Sequence, residues 1–290
     1  MDAYQADLLV DCRCLLGESP FWDPSLGAIA WVDIDRSQLH RLTPSTGSVA
    51  AVELPTETSF VAAAEAGGIV GASPLGVFAR LDDESETRMI ASPWFDPELA
   101  RPNDGAVDPN GRIWVGFTRR DREPESGAMG VVVDGEWVRR IESLTLPNGI
   151  AWSPDGDRMY YVDTFGGTLW TASYDSEAAV LADNQPLFGL ERGRGLIDGI
   201  CTDLDGTIWA AIWGGHAVLR IDATGREIGR VDVGSEKVTS CSFGPPGSTV
   251  LYITSANPEG TDVPGEGGFF AVDVGVQGVP VAPAVVANRD

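Results

Sequence analysis

The sequence predicts an all-β protein, a six-bladed β-propeller, from a repeated strand pattern, a steady repeat length and the lack of helical periodicity. An apolar, β-rich run recurs six times, and its central residues are Ile29, Ile69, Ile113, Met159, Ile208 and Val250. By subtraction these positions lie 40, 44, 46, 49 and 42 residues apart. A period of about 40–50 residues with about four strands is typical of a propeller blade, so six repeats predict six blades.

Turn-forming residues come before most of these runs, as in Asp108-Pro109-Asn110-Gly111 and Ser153-Pro154-Asp155-Gly156. Such residues favour tight hairpins, because Pro presets φ and Gly or Asn accepts a positive φ. A short strand precedes each turn and another strand follows each run, which predicts at least three antiparallel strands in every repeat. The nearest helical candidate, residues 176–190, is interpreted as an edge strand and loop.

The two ends of the chain are expected to complete the last blade. The sixth repeat ends one strand short, at residues 268–274, and residues 5–14 form an apolar strand ahead of the first repeat. Pairing these segments would protect the edges of both. We therefore expect residues 1–290 to form a single domain in which the N-terminal strand closes the last blade. The alternative, a double β-sandwich, is disfavoured by the even period.

The composition disfavours several kinds of partner. Asp and Glu total 43 against 20 Lys and Arg, a formal net charge of −23. Such a surface repels phosphate backbones and anionic lipids. No apolar run approaches the roughly 18 residues of a membrane span, and residues 1–7 lack the basic and apolar regions of a signal peptide. We expect a cytoplasmic protein without nucleic-acid or membrane partners, while its oligomeric state stays unpredicted.

Cysteine and histidine form no recognisable motif in the sequence. The four cysteines include no C-x-x-C pair and only two histidines are present: Cys12, Cys14, Cys201, Cys241, His40 and His216. We expect reduced, mostly buried thiols and no zinc motif. Both histidines fall at or beside outer strands, which disfavours a Ser-His-Asp triad, and a Gly-x-Ser-x-Gly motif is absent.

Polar side chains recur just before the first strand of several repeats. Glu18, Asn148 and Asp198 occupy this position in the first, fourth and fifth repeats, and Asn103 lies near it in the third. Innermost propeller strands begin at the same end of the channel, so we expect these side chains to meet. Converging carboxylates repel one another without a cation, which predicts an oxygen-ligated divalent metal. The alternative is a plain turn at each Asn-Gly or Asp-Gly dipeptide.

Four motifs together resemble the SMP-30/gluconolactonase family, which includes regucalcin and bacterial sugar lactonases. They are Gly17-Glu18-Ser19-Pro20-Phe21-Trp22, Arg101-Pro102-Asn103-Asp104-Gly105, Pro147-Asn148-Gly149 and Asp198-Gly199. The resemblance covers nearly the whole chain, residues 8 to 275. It implies a six-bladed propeller with one divalent metal in the channel. It also implies hydrolysis of aldonolactones, such as gluconolactone or pentonolactones, to the aldonic acid.

The resemblance also implies individual roles. Glu18, Asn148 and Asp198 match the metal ligands, and Asp198 matches the residue assigned as general base. Arg101 and Asn103 match substrate-binding residues. The family often has a Glu after the second strand of the third blade that binds sugar hydroxyls. Here Asp121 or Glu123 would serve, but the arginines around them depart from the family pattern and suit a carboxylate or a differently placed hydroxyl. The identity of the sugar is therefore open.

We predict a metal-dependent lactonase of carbohydrate metabolism with a small sugar lactone as its substrate. The metal would polarise the lactone carbonyl, Asp198 would take a proton from water, and Arg101 and Asn103 would hold ring hydroxyls. Calcium, magnesium, manganese, zinc and iron(II) are all compatible with the ligands. Alternatives with the same site are a phosphotriesterase-like hydrolase and a calcium-binding regulator without catalysis. A WD40-type interaction propeller fits poorly, because it lacks channel carboxylates.

Overall fold

The computed structural model describes residues 2–82, 86–93 and 95–286, and its regular elements are β-strands. In chain order they are β1 (Asp2–Gln5), β2 (Asp7–Val10), β3 (Gly17–Asp23), β4 (Ala28–Asp33), β5 (Gln38–Thr43), β6 (Ser48–Glu53), β7 (Phe60–Ala63), β8 (Ile69–Ser73), β9 (Gly76–Arg80), β10 (Arg88–Ala91), β11 (Ala100–Val107), β12 (Ile113–Arg119), β13 (Gly127–Val133), β14 (Glu136–Leu144), β15 (Pro147–Trp152), β16 (Arg158–Asp163), β17 (Thr168–Asp175), β18 (Val180–Gly189), β19 (Leu196–Thr202), β20 (Ile208–Trp213), β21 (Ala217–Ile221), β22 (Glu227–Asp232), β23 (Lys237–Phe243), β24 (Val250–Ala256) and β25 (Phe269–Asp273). Within these residues, no helix has the length and apolarity that crossing a membrane requires.

Consecutive strands pair into antiparallel sheets. Four sheets hold four strands each, namely β3–β6, β7–β10, β11–β14 and β15–β18. A larger sheet holds β19–β22 and the group of β23–β25 with β2, which are joined by the single pair of Trp213 with Lys237. The six repeat anchors all fall in the second strands of these groups: β4, β8, β12, β16, β20 and β24. The predicted strand repeat is therefore present.

The first strands of the groups contact one another in a closed ring. Along the chain, β3 contacts β7, β7 contacts β11, and the order continues through β15, β19 and β23, which returns to β3. The sheets therefore surround one axis, with their first strands innermost. This ring is what brings residues from distant parts of the sequence together.

Closure uses both ends of the described chain. As expected, β2 pairs antiparallel with β25, with Asp7 opposite Ala271 and Leu8 opposite Phe270. The sequence interpretation did not anticipate β1, which pairs parallel with β22 and covers the outer edge of the neighbouring group. The segment that had weak helical character contains the edge strand β18, as expected.

Large aromatic side chains fill the space between neighbouring sheets. Trp31, Trp114 and Trp209, each from a second strand, are fully buried. Trp31 stacks on Phe269 of the closing group, with ring centroids 3.9 Å apart and planes within 4°. Aromatic pairs contribute about 0.5–1.5 kcal/mol beyond area burial. This aromatic packing therefore stabilises the closure of the ring, in addition to the hydrogen bonds between β2 and β25.

Candidate metal centre

A β-bulge marks the position of each predicted ligand in the inner strands. The pairing register shifts between Glu18 and Phe21, between Asn148 and Ile150, and between Ile197 and Ile200. A bulge places two residues opposite one and re-aims their side chains. These bulges take the polar side chains out of the usual alternation of the strand. Asn148 and Asp198 contact each other, and Asp198 is near enough to Glu18 for its charge to act on that carboxyl group.

The glycine that follows a ligand lets neighbouring inner strands approach closely. A Cβ on Gly149 would lie 2.7 Å from the carbonyl oxygen of Asp198, and a Cβ on Gly199 would overlap Ser240 of the next inner strand. Both glycines are strand residues without a positive φ. The plain-turn interpretation of Asn148-Gly149 and Asp198-Gly199 is therefore wrong, because the glycines serve close backbone approach.

The three predicted ligands belong to one buried group. Glu18, Asn148 and Asp198 are 9%, 4% and 5% exposed. Nδ2 of Asn148 donates a hydrogen bond to Oδ1 of Asp198. Burial, followed by the charges of Asp198 and Asp104, raises the pKa of Glu18 well above its ordinary value. These residues, with Asp104, are called the acidic group below.

Asp104 is a member of this group that the sequence interpretation missed. It is 8% exposed, and burial raises its pKa to about 7, against the lowering effect of the hydrogen bond from the Gly105 backbone N–H at 2.7 Å. After burial, the charge of Asp104 is the next cause that raises the pKa of Asp198. The sequence does contain a signal for Asp104. Asp104 directly precedes Gly105, as Asn148 directly precedes Gly149, whereas Asn103 lies one residue earlier.

Arg101 and Asn103 lie on the third inner strand, beside the acidic group. Nδ2 of Asn103 donates to the Pro147 carbonyl at 3.0 Å, which ties β11 to β15. The Arg101 side chain is 12% exposed, and its Nε lies 3.6 Å from Oε1 of Glu57. Burial lowers the pKa of Arg101, and the charge of Arg101 opposes the rise in the pKa of Glu18.

Thr164 fixes the amide of Asn148. The Thr164 hydroxyl accepts from Nδ2 of Asn148 at 3.1 Å and donates to the Ile197 carbonyl at 2.8 Å. The two amide N–H groups thus go to Thr164 and Asp198. Oδ1 of Asn148 accepts the Gly149 N–H at 3.1 Å and keeps one lone pair for a cation.

Asp121 and Glu123 lie at the surface, where both pair with Arg119. Nε of Arg119 is 2.9 Å from Oδ1 of Asp121 and 3.5 Å from Oε2 of Glu123, and the two acidic side chains are 55% and 63% exposed. Between them, the half-buried Arg122 holds its guanidinium 5.5 Å from the ring centroid of Phe165. The charge of Arg122 acts to lower the pKa of Asp198. Arg122 was not singled out from the sequence, yet its charge reaches the acidic group from this loop.

The donor set of the acidic group fits a hard divalent cation. Three carboxylates are buried together, while Arg101 is paired with Glu57 rather than with them. Burial and mutual repulsion raise the pKa values of Glu18 and Asp198, and a cation would remove both effects. Carboxylate and amide oxygens are the donors that calcium, magnesium and manganese prefer.

The fold and this group define an all-β protein, a ring of antiparallel sheets with an acidic centre on its axis. Residues 16–257 match the family described as SMP-30/Gluconolactonase/LRE-like region, and the chain belongs to that family. The resemblance drawn from the four motifs is thus confirmed.

Several similar proteins align with almost the whole chain. It is 33% identical to pentonolactonase XacC of Haloferax volcanii, over 94% of this chain and 95% of that protein. It is 31% identical to regucalcin of Xenopus laevis, over 99% of this chain and 100% of that protein. The crystal structure of a calcium-binding protein, regucalcin, from Agrobacterium tumefaciens superposes with a TM-score of 0.91 at 28% identity, covering 99% of this chain and 100% of that one.

Proposed function

We propose that residues 1–290 form one six-bladed β-propeller domain that hydrolyses a sugar lactone to its aldonic acid with a divalent metal ion. The observation that carries this proposal is the buried group of Glu18, Asn148 and Asp198 on the axis. The closed order of the inner strands supports the six-bladed fold. A pentonolactonase and a calcium-binding regucalcin among the similar proteins support the reaction and the ion.

Glu18, Asn148 and Asp198 would hold the ion, with Thr164 orienting the amide. When bound, the ion supplies a Lewis acid for the lactone carbonyl and a counter-charge for the developing oxyanion. The lactone ring carries no charge before water attacks it. Binding the lactone therefore requires no cation beyond the metal ion. The remaining chemistry belongs to the side chains of this chain.

Asp198 is the proposed general base. Its carboxylate is buried beside the other proposed ligands and accepts a hydrogen bond from Nδ2 of Asn148, which would hold it in place to take a proton from water. Water attacks the carbonyl carbon while its proton passes to Asp198. The ring C–O bond then breaks, and Asp198 returns the proton to the departing ring oxygen, which gives the hydroxy acid and regenerates the carboxylate.

Arg101 and Asn103 would orient the sugar ring. Asn103 already uses an N–H on the Pro147 carbonyl, so its Oδ1 stays available to accept from a sugar hydroxyl. Arg101 offers guanidinium N–H donors from a side chain that Glu57 holds in place. Preorganised donors of this kind help to stabilise the charge that develops in the transition state.

The test is a panel of aldonolactones assayed by acid release, with chelated protein given calcium, magnesium, manganese, zinc or iron(II) one at a time. Because lactones open spontaneously, each rate is compared with buffer alone. We expect activity to vanish on chelation and to return with at least one ion. The melting temperature should fall on chelation, since an ion at 100 times its Kd stabilises the fold by about 2.7 kcal/mol.

Other outcomes would change the proposal in defined ways. Full turnover by chelated protein contradicts metal dependence. Tight calcium binding without turnover of any lactone supports a regulator without catalysis. Faster hydrolysis of a phosphotriester than of every lactone supports a phosphotriesterase-like enzyme.

A further inference from the structure

A second group of metal-binding side chains lies away from the acidic group, where the N-terminal segment crosses the first sheet. Sγ of Cys14, a ring nitrogen of His40 and a carboxylate oxygen of Asp33 lie within 4.8 Å of one another. The Cys14 thiol donates to Sγ of Cys12 at 3.4 Å, which brings a fourth donor. Cys14, Asp33 and His40 are 1%, 0% and 8% exposed. We call these four residues the Cys–His cluster.

The first sheet places the carboxylate and the imidazole on one face. Trp31 and Asp33 are two residues apart in β4 and therefore share a face, and His40 of β5 is paired with Trp31. The imidazole stacks on the Trp31 ring, with centroids 5.3 Å apart and planes within 12°. Arg13 lies between the two cysteines and has a φ of 51°. The backbone therefore turns between Cys12 and Cys14, whose thiols contact each other.

One imidazole nitrogen in this cluster is buried without a hydrogen bond. In the part of the chain that the structure describes, Nε2 of His40 has no hydrogen-bond partner, whereas the Trp31 indole N–H interacts with the thiols of Cys12 and Cys14. An unpaired buried polar group costs roughly 1–3 kcal/mol. The His40 imidazole is buried, lacks a hydrogen bond at Nε2 and lies beside two thiols and a carboxylate. This arrangement indicates that the imidazole binds a ligand.

Asp33 has room for one more interaction. Its Oδ2 accepts the Leu15 N–H at 3.0 Å and the Arg36 guanidinium at 2.8 Å, while Oδ1 accepts the Leu16 N–H at 3.2 Å. A carboxylate oxygen carries two lone pairs, so Oδ1 keeps one. The donors that already hold Asp33 would also fix its orientation toward an ion.

We propose that Cys12, Cys14, His40 and Asp33 form a structural site for a thiophilic divalent cation of the Zn²⁺ class. Tetrahedral Zn²⁺ lies about 2.3 Å from sulfur and about 2.0–2.2 Å from nitrogen or oxygen, so ligand atoms stand roughly 3.3–3.8 Å apart. For two sulfur ligands the expected separation is about 3.8 Å. The sulfurs of Cys12 and Cys14 lie 3.4 Å apart, so a small movement would place both on one ion. Thiolate and imidazole suit such ions, whereas the oxygen donors of the acidic group suit calcium or magnesium.

The charges of the site are balanced by its surroundings. Both thiols bind as thiolates, and their two protons go to solvent. Two thiolates, one carboxylate and a divalent ion sum to −1, and Arg36 is bonded to Asp33 at 2.8 Å.

The bound ion would cross-link the place where the ring closes. Cys12 and Cys14 follow β2, which is paired with β25 in the last group, whereas Asp33 and His40 belong to the first sheet. Glu18 comes four residues after Cys14 by subtraction. The site shares no residue with the acidic group, so it does not depend on the proposed function.

The experiment uses the full chain carrying Asp198→Asn, which weakens the oxygen site, loaded with Zn²⁺ or Co²⁺ alone. We expect one Zn²⁺ per chain by elemental mass spectrometry and a thiolate-to-Co²⁺ charge-transfer absorption. Adding Cys14→Ser or His40→Gln should lower Zn²⁺ affinity by at least about 100-fold, the upper end of what loss of a supporting residue costs. Cys12→Ser, at a partly exposed position, gives the same test if a buried substitution fails to fold.

The control is the other thiol pair, Cys201 and Cys241, whose sulfurs lie 3.6 Å apart. Adding Cys201→Ser to the Asp198→Asn chain should leave Zn²⁺ binding and the absorption unchanged. Equal Zn²⁺ content in the Cys14→Ser and Cys201→Ser chains would overturn the proposal. So would a Co²⁺ spectrum without thiolate absorption, or a Cys12–Cys14 disulfide in chains purified without the ion. Loss or retention of lactonase activity bears only on the proposed function.

Discussion

The acidic group and the Cys–His cluster come within four residues of each other along the chain, at Glu18 and Cys14, yet they are assembled in opposite ways. The acidic group collects oxygen donors from inner strands of four different groups. The Cys–His cluster takes its sulfur, nitrogen and oxygen donors from residues 12–40. The first therefore exists only when the ring is closed, whereas the second comes from one hairpin and the segment before it. The predictions below test this difference from the largest expected effect to the smallest.

Asp198→Asn should lower the lactonase activity of the acidic group more than any other substitution. The change keeps the side-chain size but removes the proposed base and one anionic ligand, so we expect kcat/KM for the best lactone to fall by about 1000-fold or more. Steady-state kinetics on metal-loaded protein measures it. Asp205→Asn, at a turn of the neighbouring strands with its side chain 69% exposed, is the matched control and should stay near wild type. Full turnover by the Asp198 variant would exclude this residue as the base.

Asp104→Asn should stabilise the metal-free protein at high pH. The folded-state pKa of Asp104 is raised from 3.8 to about 7, so its contribution to stability is complete below pH 4 and is lost as the pH rises through about 7. At about 1.4 kcal/mol for each pH unit, the loss reaches roughly 4 kcal/mol at pH 8. Chelated variant and wild type are compared by thermal unfolding at pH 4.5 and pH 8. An equal difference at both pH values would show that the charge is not the cause.

Thr164→Val should weaken metal binding while leaving the ligands in place. The hydroxyl bridges the Asn148 amide and the Ile197 carbonyl, and losing such support typically costs about 10–100-fold in metal affinity. Titration of chelated protein with calcium measures the change. Thr202→Val is the matched control, because its hydroxyl also links β19 to β15, donating to the Trp152 carbonyl at 2.7 Å. If both variants lose the same affinity, the effect is general loosening of the strands.

The smallest effects are expected in the loop at Arg119–Glu123. If Asp121 and Glu123 stay paired with Arg119 during turnover, Asp121→Asn and Glu123→Gln should each change KM less than about twofold, as exposed ion pairs contribute little. Arg122→Gln should change KM more, because its charge reaches Asp198. A larger effect at Asp121 or Glu123 would instead support their predicted contact with the substrate.

The sequence was sufficient for the all-β class and the strand repeat, because the repeat length and turn residues are local signals. It also indicated Glu18, Asn148 and Asp198, since equal positions in a repeat become neighbours in the ring. The bulges were not visible, because a shift in pairing register leaves no distinct residue pattern at these sites. Asp104 was missed for that reason: Asn103 was compared with Asn148, although the glycine phase points to Asp104.

The Cys–His cluster was missed for a different physical reason. A C-x-C pair, one aspartate and one histidine have no fixed spacing that indicates a site, and the histidine was expected only as part of an outer strand. The pairing of Trp31 with His40 sets the imidazole beside Asp33, and the turn at Arg13 accompanies the approach of the thiols. Each of these contacts depends on tertiary structure, which short motifs do not encode.

The pairing of β2 with β25 also orders events during synthesis on the ribosome. Asp7 and Ala271 are 264 residues apart by subtraction, so the closing pair has one of the longest sequence separations in the chain. The four sheets between them use consecutive strands and can fold as each emerges, whereas contacts of long separation form late. The strand β2 must therefore wait, with an unpaired edge, until β25, the last described strand, has been made. This interval is when the nascent chain is most exposed to wrong strand pairing.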